Sequence, residues 1–171
     1  MKRQMSLPHL WLVSDARNNA RLESALLRLP RGSGLIYRHD AQRERYAALA
    51  RIACRRGHCV VLKGTAAEAR SWRAAGAYGD AKRLARGPAT MRLVTVHSLR
   101  ELAKAHRARA DAVLISPVFV TRSHPGGKVL GPLRFRLIAA RAKVPVIALG
   151  GMNARRARAI GAESWAAIDG L

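Results

Sequence analysis

Eight short runs along this chain are apolar almost without interruption, and helix-patterned segments separate most of them. No other feature constrains the fold as much. The runs are LWLVSD (10–15), GLIYR (34–38), CVVLKG (59–64), AYGD (77–80), MRLVTVH (91–97), DAVLISPVF (111–119), PVIALGG (145–151) and SWAAIDGL (164–171). A strand with one face in water alternates apolar and polar residues, whereas a parallel strand covered on both faces does not. Between the runs, QRERYAALARIACRRG (42–57) sets Tyr46, Leu49 and Ile52–Ala53 on one helical stripe, with Gly57 placed as a C-cap. Pro132 falls at the first helical position of GPLRFRLIAARAK (131–143). AYGD is a weak strand, and the residues from it to Pro88 read only as an ill-defined basic link.

Two architectures fit this order: an open doubly wound sheet, or a closed parallel barrel. Eight repeats ending on a strand favour the second, a compact α/β (β/α)8 TIM barrel forming one domain over 1–171. The chain is tight for that fold, 171 residues against roughly 250 in a typical barrel. Some helices must therefore be short, and the terminal helix is expected to be short or missing.

Hydrophobic residues make up 49% of the chain, enough for a sizeable core. Charge is the outlier: 32 Lys and Arg against 10 Asp and Glu give +22. The cations are spread through nearly every helical segment, which reads first as solvated helix faces, second as attraction for phosphorylated small molecules and only third as nucleic-acid binding. Aromatics at 5% leave few platforms for stacking bases. Two cysteines, Cys54 and Cys59, form no CxxC motif, which argues against a disulfide framework or zinc site and suits a reducing cytoplasm. No apolar stretch is long enough for a signal peptide or a membrane span. A cytoplasmic protein is expected, and a homo-oligomer remains open.

In a parallel barrel the carboxyl ends of the strands form the ligand-binding rim. His97, Ser98, Ser116 and the loop VTRSHPGGKVLG (120–131) are expected to meet there. A histidine takes up and releases protons near neutral pH, which makes His97 the candidate acid–base group.

TVHSLRE, ADAVLISPVFVTRSHPGGKVLG and PVIALGGMNARRARAIGA occur in succession, and over 91–161 the chain resembles the thiamine phosphate synthase and thiazole tautomerase family. That family is a TIM barrel of thiamine biosynthesis that joins a pyrimidine diphosphate to a thiazole phosphate, or aromatises the thiazole phosphate. The resemblance implies that Arg38 holds the pyrophosphate, that Ser98 sits at the substrate, and that His97 matches the histidine of the tautomerase branch. Thr121 and Ser123 match the family's two hydroxyl residues, and Gly150 and Gly151 match the glycines facing the thiazole phosphate. A glycine turn before a helix suits an anion because unpaired N–H groups point at it.

The chain departs from the synthase pattern at the metal. Where that branch carries an Asn-Asp pair, with the aspartate binding magnesium, this sequence has Lys63-Gly64, and Asp80 is out of register for the second carboxylate. No cofactor or metal is therefore expected; magnesium stays conceivable only without its usual ligands. His124 replaces the family lysine, for which Lys128 can substitute if the loop folds back. Asp169 stands where the family has a small residue, and would repel phosphate unless paired with a cation or turned away. The expected function is a synthase-like protein binding a thiazole phosphate or related phosphorylated molecule at the rim, with His97 moving a proton. The alternatives are a true synthase, with Arg38, Lys63 and Lys128 supplying the charge of the metal, or a non-catalytic barrel binding phosphate ligands or nucleic acid.

Overall fold

The computed structural model describes residues 7–39, 42–122 and 126–169, and the expected alternation is there. The strands are β1 (Leu10–Val13), β2 (Gly34–Tyr37), β3 (Cys59–Lys63), β4 (Gly76–Gly79), β5 (Met91–Val96), β6 (Ala112–Ile115), β7 (Val146–Leu149) and β8 (Ser164–Ala167). The helices between them are α1 (Leu22–Arg28), α2 (Arg43–Arg56), α3 (Ala66–Ser71), α4 (Ala81–Leu84), α5 (Leu99–Arg107), α6 (Gly131–Ala139) and α7 (Ala154–Ile160). All neighbouring strands pair in parallel, and β8 returns to β1 with Leu10 opposite Trp165 and Leu12 opposite Ala167, closing the barrel.

The uninterrupted apolar runs are explained by two cores. Successive side chains of a strand point to opposite faces. Trp11, Val13, Ile36, Val61, Leu93, Leu114, Ile147 and Ala166 form the packed barrel interior. Their neighbours Leu12, Leu35, Val60, Leu62, Val94, Val113 and Ile115 pack outward against the helices. Trp11 fills the lower barrel because Gly34 opposite it has no side chain: a Cβ there would lie 2.1 Å from the indole ring. The indole N–H finds the Pro8 carbonyl at 2.7 Å, so this fully buried ring leaves no polar atom unsatisfied.

Economy of length is achieved in the helices. α4 has four residues and α3 six. The stretch expected to be an ill-defined link thus contains one turn of helix. It lacked a readable pattern because only Leu84 in it is buried. The helical reading of 66–76 stops early, at Ser71, because the chain turns left-handed at Arg73 to enter β4. Among the described residues, no helix is long and apolar enough to cross a membrane.

Candidate functional site at the barrel mouth

The β1–β8 seam positions one side of the mouth. Asn18 is buried and its amide donates to the carbonyls of Val13 and Ile168, both at 2.9 Å, clasping the two strand ends together. Its Oδ1 accepts the Asp15 N–H at 2.8 Å. The turn so formed carries Arg17, which pairs with Asp15 at 2.9 Å and with Asp169 at 3.5 Å. Asp169 thus faces a guanidinium, one that it shares with Asp15, beside the very cavity it was expected to threaten.

β7 ends in the second element, the Gly150–Gly151 turn. Both residues have positive φ, 98° and 60°, and both are hemmed in by backbone. A Cβ on Gly150 would come within 2.7 Å of Pro117 Cα, and one on Gly151 within 2.4 Å of the Val120 carbonyl oxygen. The stretch after β6 is laid against this turn: Val118 N–H donates to Leu149 O and Phe119 N–H to Gly150 O, each at 3.0 Å. Neither glycine N–H finds an acceptor among the described residues. Arg156 donates to the Gly151 carbonyl and stacks over Phe119, its guanidinium carbon 4.8 Å from the ring centre. Asn153 caps α7 by accepting the Arg156 N–H at 2.9 Å, so one N–H of that short helix is already engaged.

Together these elements line a cavity of about 370 Å³. Its walls bring together Arg38, Thr121, Gly150 and Gly151 of the candidate residues, and add Arg17, Arg122, Asn153 and Arg156. Arg38 is set by β2, its N–H donating to the buried Ser14 Oγ at 2.7 Å. Its charge reaches across the mouth. It helps to lower the Asp15 carboxyl, which its hydrogen bond to Arg17 depresses most, and it opposes the upward push that burial gives the Tyr78 phenol. Four arginines and one paired carboxylate therefore share this cavity with two N–H groups that have no acceptor among the described residues. That is the donor set of an anion site.

His97 and Ser98 lie elsewhere on the rim. His97 is exposed at the end of β5 and lines a separate hollow of about 270 Å³ with Asp80, Lys82, Thr95, Glu101 and Lys104. Its Nδ1 donates to the Ser116 carbonyl at 2.5 Å, which leaves Nε2 as the acceptor of the neutral ring. The Ser98 hydroxyl accepts the Glu101 N–H at 3.2 Å and caps α5, while the Glu101 carboxylate takes the His97 N–H at 2.8 Å. Lys63 ends β3, and Lys128 is exposed just before Leu130, whose N–H donates to the Pro117 carbonyl at 2.9 Å. Ser123 and His124 lie outside the described residues.

Magnesium, which the synthase pattern implies, does not fit these residues. A cation, Lys63, stands at the end of β3, and Asp80 Oδ1 is engaged at 2.9 Å by the Arg83 N–H as the cap of α4. Among the described residues no three His, Cys, Asp or Glu side chains gather as ligands.

A family model described as thiamine monophosphate synthase matches residues 37–171. A putative thiamine-phosphate synthase 2 of Aquifex aeolicus is 34% identical over 59 residues, 34% of this chain and 32% of that protein. The thiamine-phosphate synthase of Methanosarcina mazei is 33% identical over 82 residues, 46% of this chain and 34% of that protein. The matched stretches thus span about a third of these curated relatives. Among solved structures, a thiamine phosphate pyrophosphorylase from Pyrococcus furiosus superposes with a TM-score of 0.77 at 23% identity, covering 92% of this chain and 84% of that one. The citrate synthase SbnG, at 10% identity and a TM-score of 0.63 over 94% of this chain and 86% of that one, shares the fold alone.

Proposed function

The chain belongs to the thiamine monophosphate synthase family, and on that premise we propose that it binds a thiazole monophosphate at the barrel mouth and moves a proton on the ring. The observation that carries this reading is the pair of N–H groups at Gly150 and Gly151, without an acceptor among the described residues, in the wall of a cavity lined by Arg17, Arg38, Arg122 and Arg156. A phosphate seated there takes hydrogen bonds from the turn and charge from the guanidinium groups. Each charge-assisted bond contributes roughly 1.5–3 kcal/mol.

The Ser116–Pro117 dipeptide touches both this cradle and His97. Pro117 packs under Gly150, and the Ser116 carbonyl holds the imidazole. On this reading the ring extends from the phosphate past the Ser116–Pro117 segment into the hollow lined by His97, where Nε2 takes a proton from one ring position and returns it at another. Ser98, with one lone pair used in capping, can still donate its hydroxyl proton to the substrate. Lys63 and Lys128 supply positive charge around the rest of the rim; the expected contributions of Ser123 and His124 fall outside the described residues.

True synthase chemistry is the second reading, supported by the cationic rim. Under either reading, binding needs no metal. Calorimetric titration with a thiazole monophosphate and with a pyrimidine diphosphate is expected to give affinities that magnesium changes by no more than a few-fold. A large magnesium-dependent gain contradicts the proposal, as does failure to bind the thiazole phosphate at all.

A further inference from the structure

In a parallel barrel all the helices point the same way, so a charge preference repeated at each helix end accumulates over a whole face. Helix N-termini favour carboxylates and C-termini favour cations. Glu23, Glu44, Glu68 and Glu101 stand in first turns, on the side of the mouth. The last turns of α1, α2, α3, α5, α6 and α7 each carry arginine. At this closed end Arg31, Arg55, Arg73, Arg109, Arg141 and Lys143 are all exposed, and none of the six forms an ion pair with a described carboxylate. Among the described residues only Asp111 and Glu163 oppose them, and Asp111 is engaged by the Arg92 N–H at 2.8 Å. Neighbouring connections are tied together: Arg31 donates to the Arg55 carbonyl at 3.3 Å, and the Lys143 N–H donates to His106 Nε2 at 3.2 Å.

Two of these cations occupy turns that favour another residue. Arg73 and Arg109 each have φ of 56°, the left-handed conformation taken by Gly57 and Gly161 after α2 and α7. Glycine fits there without strain and arginine does not.

We propose that the base of the barrel docks the phosphate backbone of a double-stranded nucleic acid, independently of the small-molecule site at the mouth. Spread evenly along the sequence, the cations read as solvated helix faces; the parallel helices bring those of the last turns and of the connections beyond them to one end, apart from the arginines of the mouth. Arginine, the majority here, engages phosphate in a bidentate manner. None of the exposed large apolar side chains lies in these connections, which disfavours a lipid surface, and none is aromatic, which disfavours stacking of single-stranded bases.

Fluorescence anisotropy with a labelled duplex of about 20 base pairs, titrated across salt concentrations, tests this. The variant Arg73→Gly/Arg109→Gly/Arg141→Gln/Lys143→Gln should bind at least about tenfold more weakly at low salt, and its salt slope should be shallower by about 3 to 4. The two glycines relieve backbone strain, so its urea midpoint should hold or rise, which separates lost binding from lost folding. A mouth variant, Arg38→Gln/Arg156→Gln, should keep duplex affinity within about twofold. Unchanged affinity in the base variant, an equal loss in the mouth variant, or tighter binding to phosphatidylserine vesicles than to duplex would each overturn the proposal.

Discussion

His97→Gln is expected to lower solvent proton exchange on a bound thiazole phosphate by about 10²-fold or more while leaving ligand affinity within a few-fold, the usual scale of general acid–base catalysis. The separation of the two effects follows from the placement of the groups. The phosphate cradle draws on β1, β2, β6, β7 and β8, and His97 lines none of it. Glutamine retains an N–H donor for the Ser116 carbonyl, so the loop under Gly150 keeps its support, but glutamine neither accepts nor releases a proton. Exchange followed by NMR in deuterated water reads the chemistry, and calorimetry reads the binding. Unchanged exchange removes His97 from the mechanism. A loss of affinity as large as the loss of exchange gives it a structural role instead.

Gly151→Ala carries the second large effect, on the site and on the fold together. The added Cβ would meet a backbone oxygen, that of Val120, at 2.4 Å, and the residue would have to hold φ at 60°. A backbone atom cannot swing aside as a side-chain tip can. Left-handed strain and overpacking together are expected to cost about 2–4 kcal/mol, seen as a lower urea midpoint. Phosphate affinity should fall at least about tenfold, because relieving the clash moves an N–H away from the anion. Stability within about 0.5 kcal/mol of the parent would show that the turn has more room than its geometry implies.

The barrel was legible because both faces of every strand are covered, which leaves an apolar run that no half-exposed strand produces. The weakest strand, β4, starts at Gly76 against Met91, where even a Cβ would strike the neighbouring backbone, so it has few side chains to announce it. The glycine turn and Arg38 were legible from resemblance and position. Arg17, Arg122 and Arg156 were not, because among 32 cations no single arginine stands out. What singles out Arg17 is the Asn18 clasp across the seam, a contact between residues 150 positions apart. Arg122 lies between Thr121 and Ser123, and Arg156 three residues past Asn153, so adjacency to named positions was the available signal. Ser98 shows the opposite case. Its spacing to Glu101 is that of a helix cap, and the hydroxyl serves that role whatever else it does.

The central claim is that the mouth recognises a phosphate through the Gly150–Gly151 turn and the arginines around it. Calorimetry comparing a thiazole monophosphate with the corresponding alcohol tests it most directly, in the wild type and in Arg38→Gln/Arg156→Gln. The phosphate should strengthen wild-type binding by about 10²-fold or more, equivalent to one or two charge-assisted hydrogen bonds, and most of that gain should vanish in the double variant. Equal affinity for phosphate and alcohol, or a phosphate gain that survives both substitutions, would contradict it.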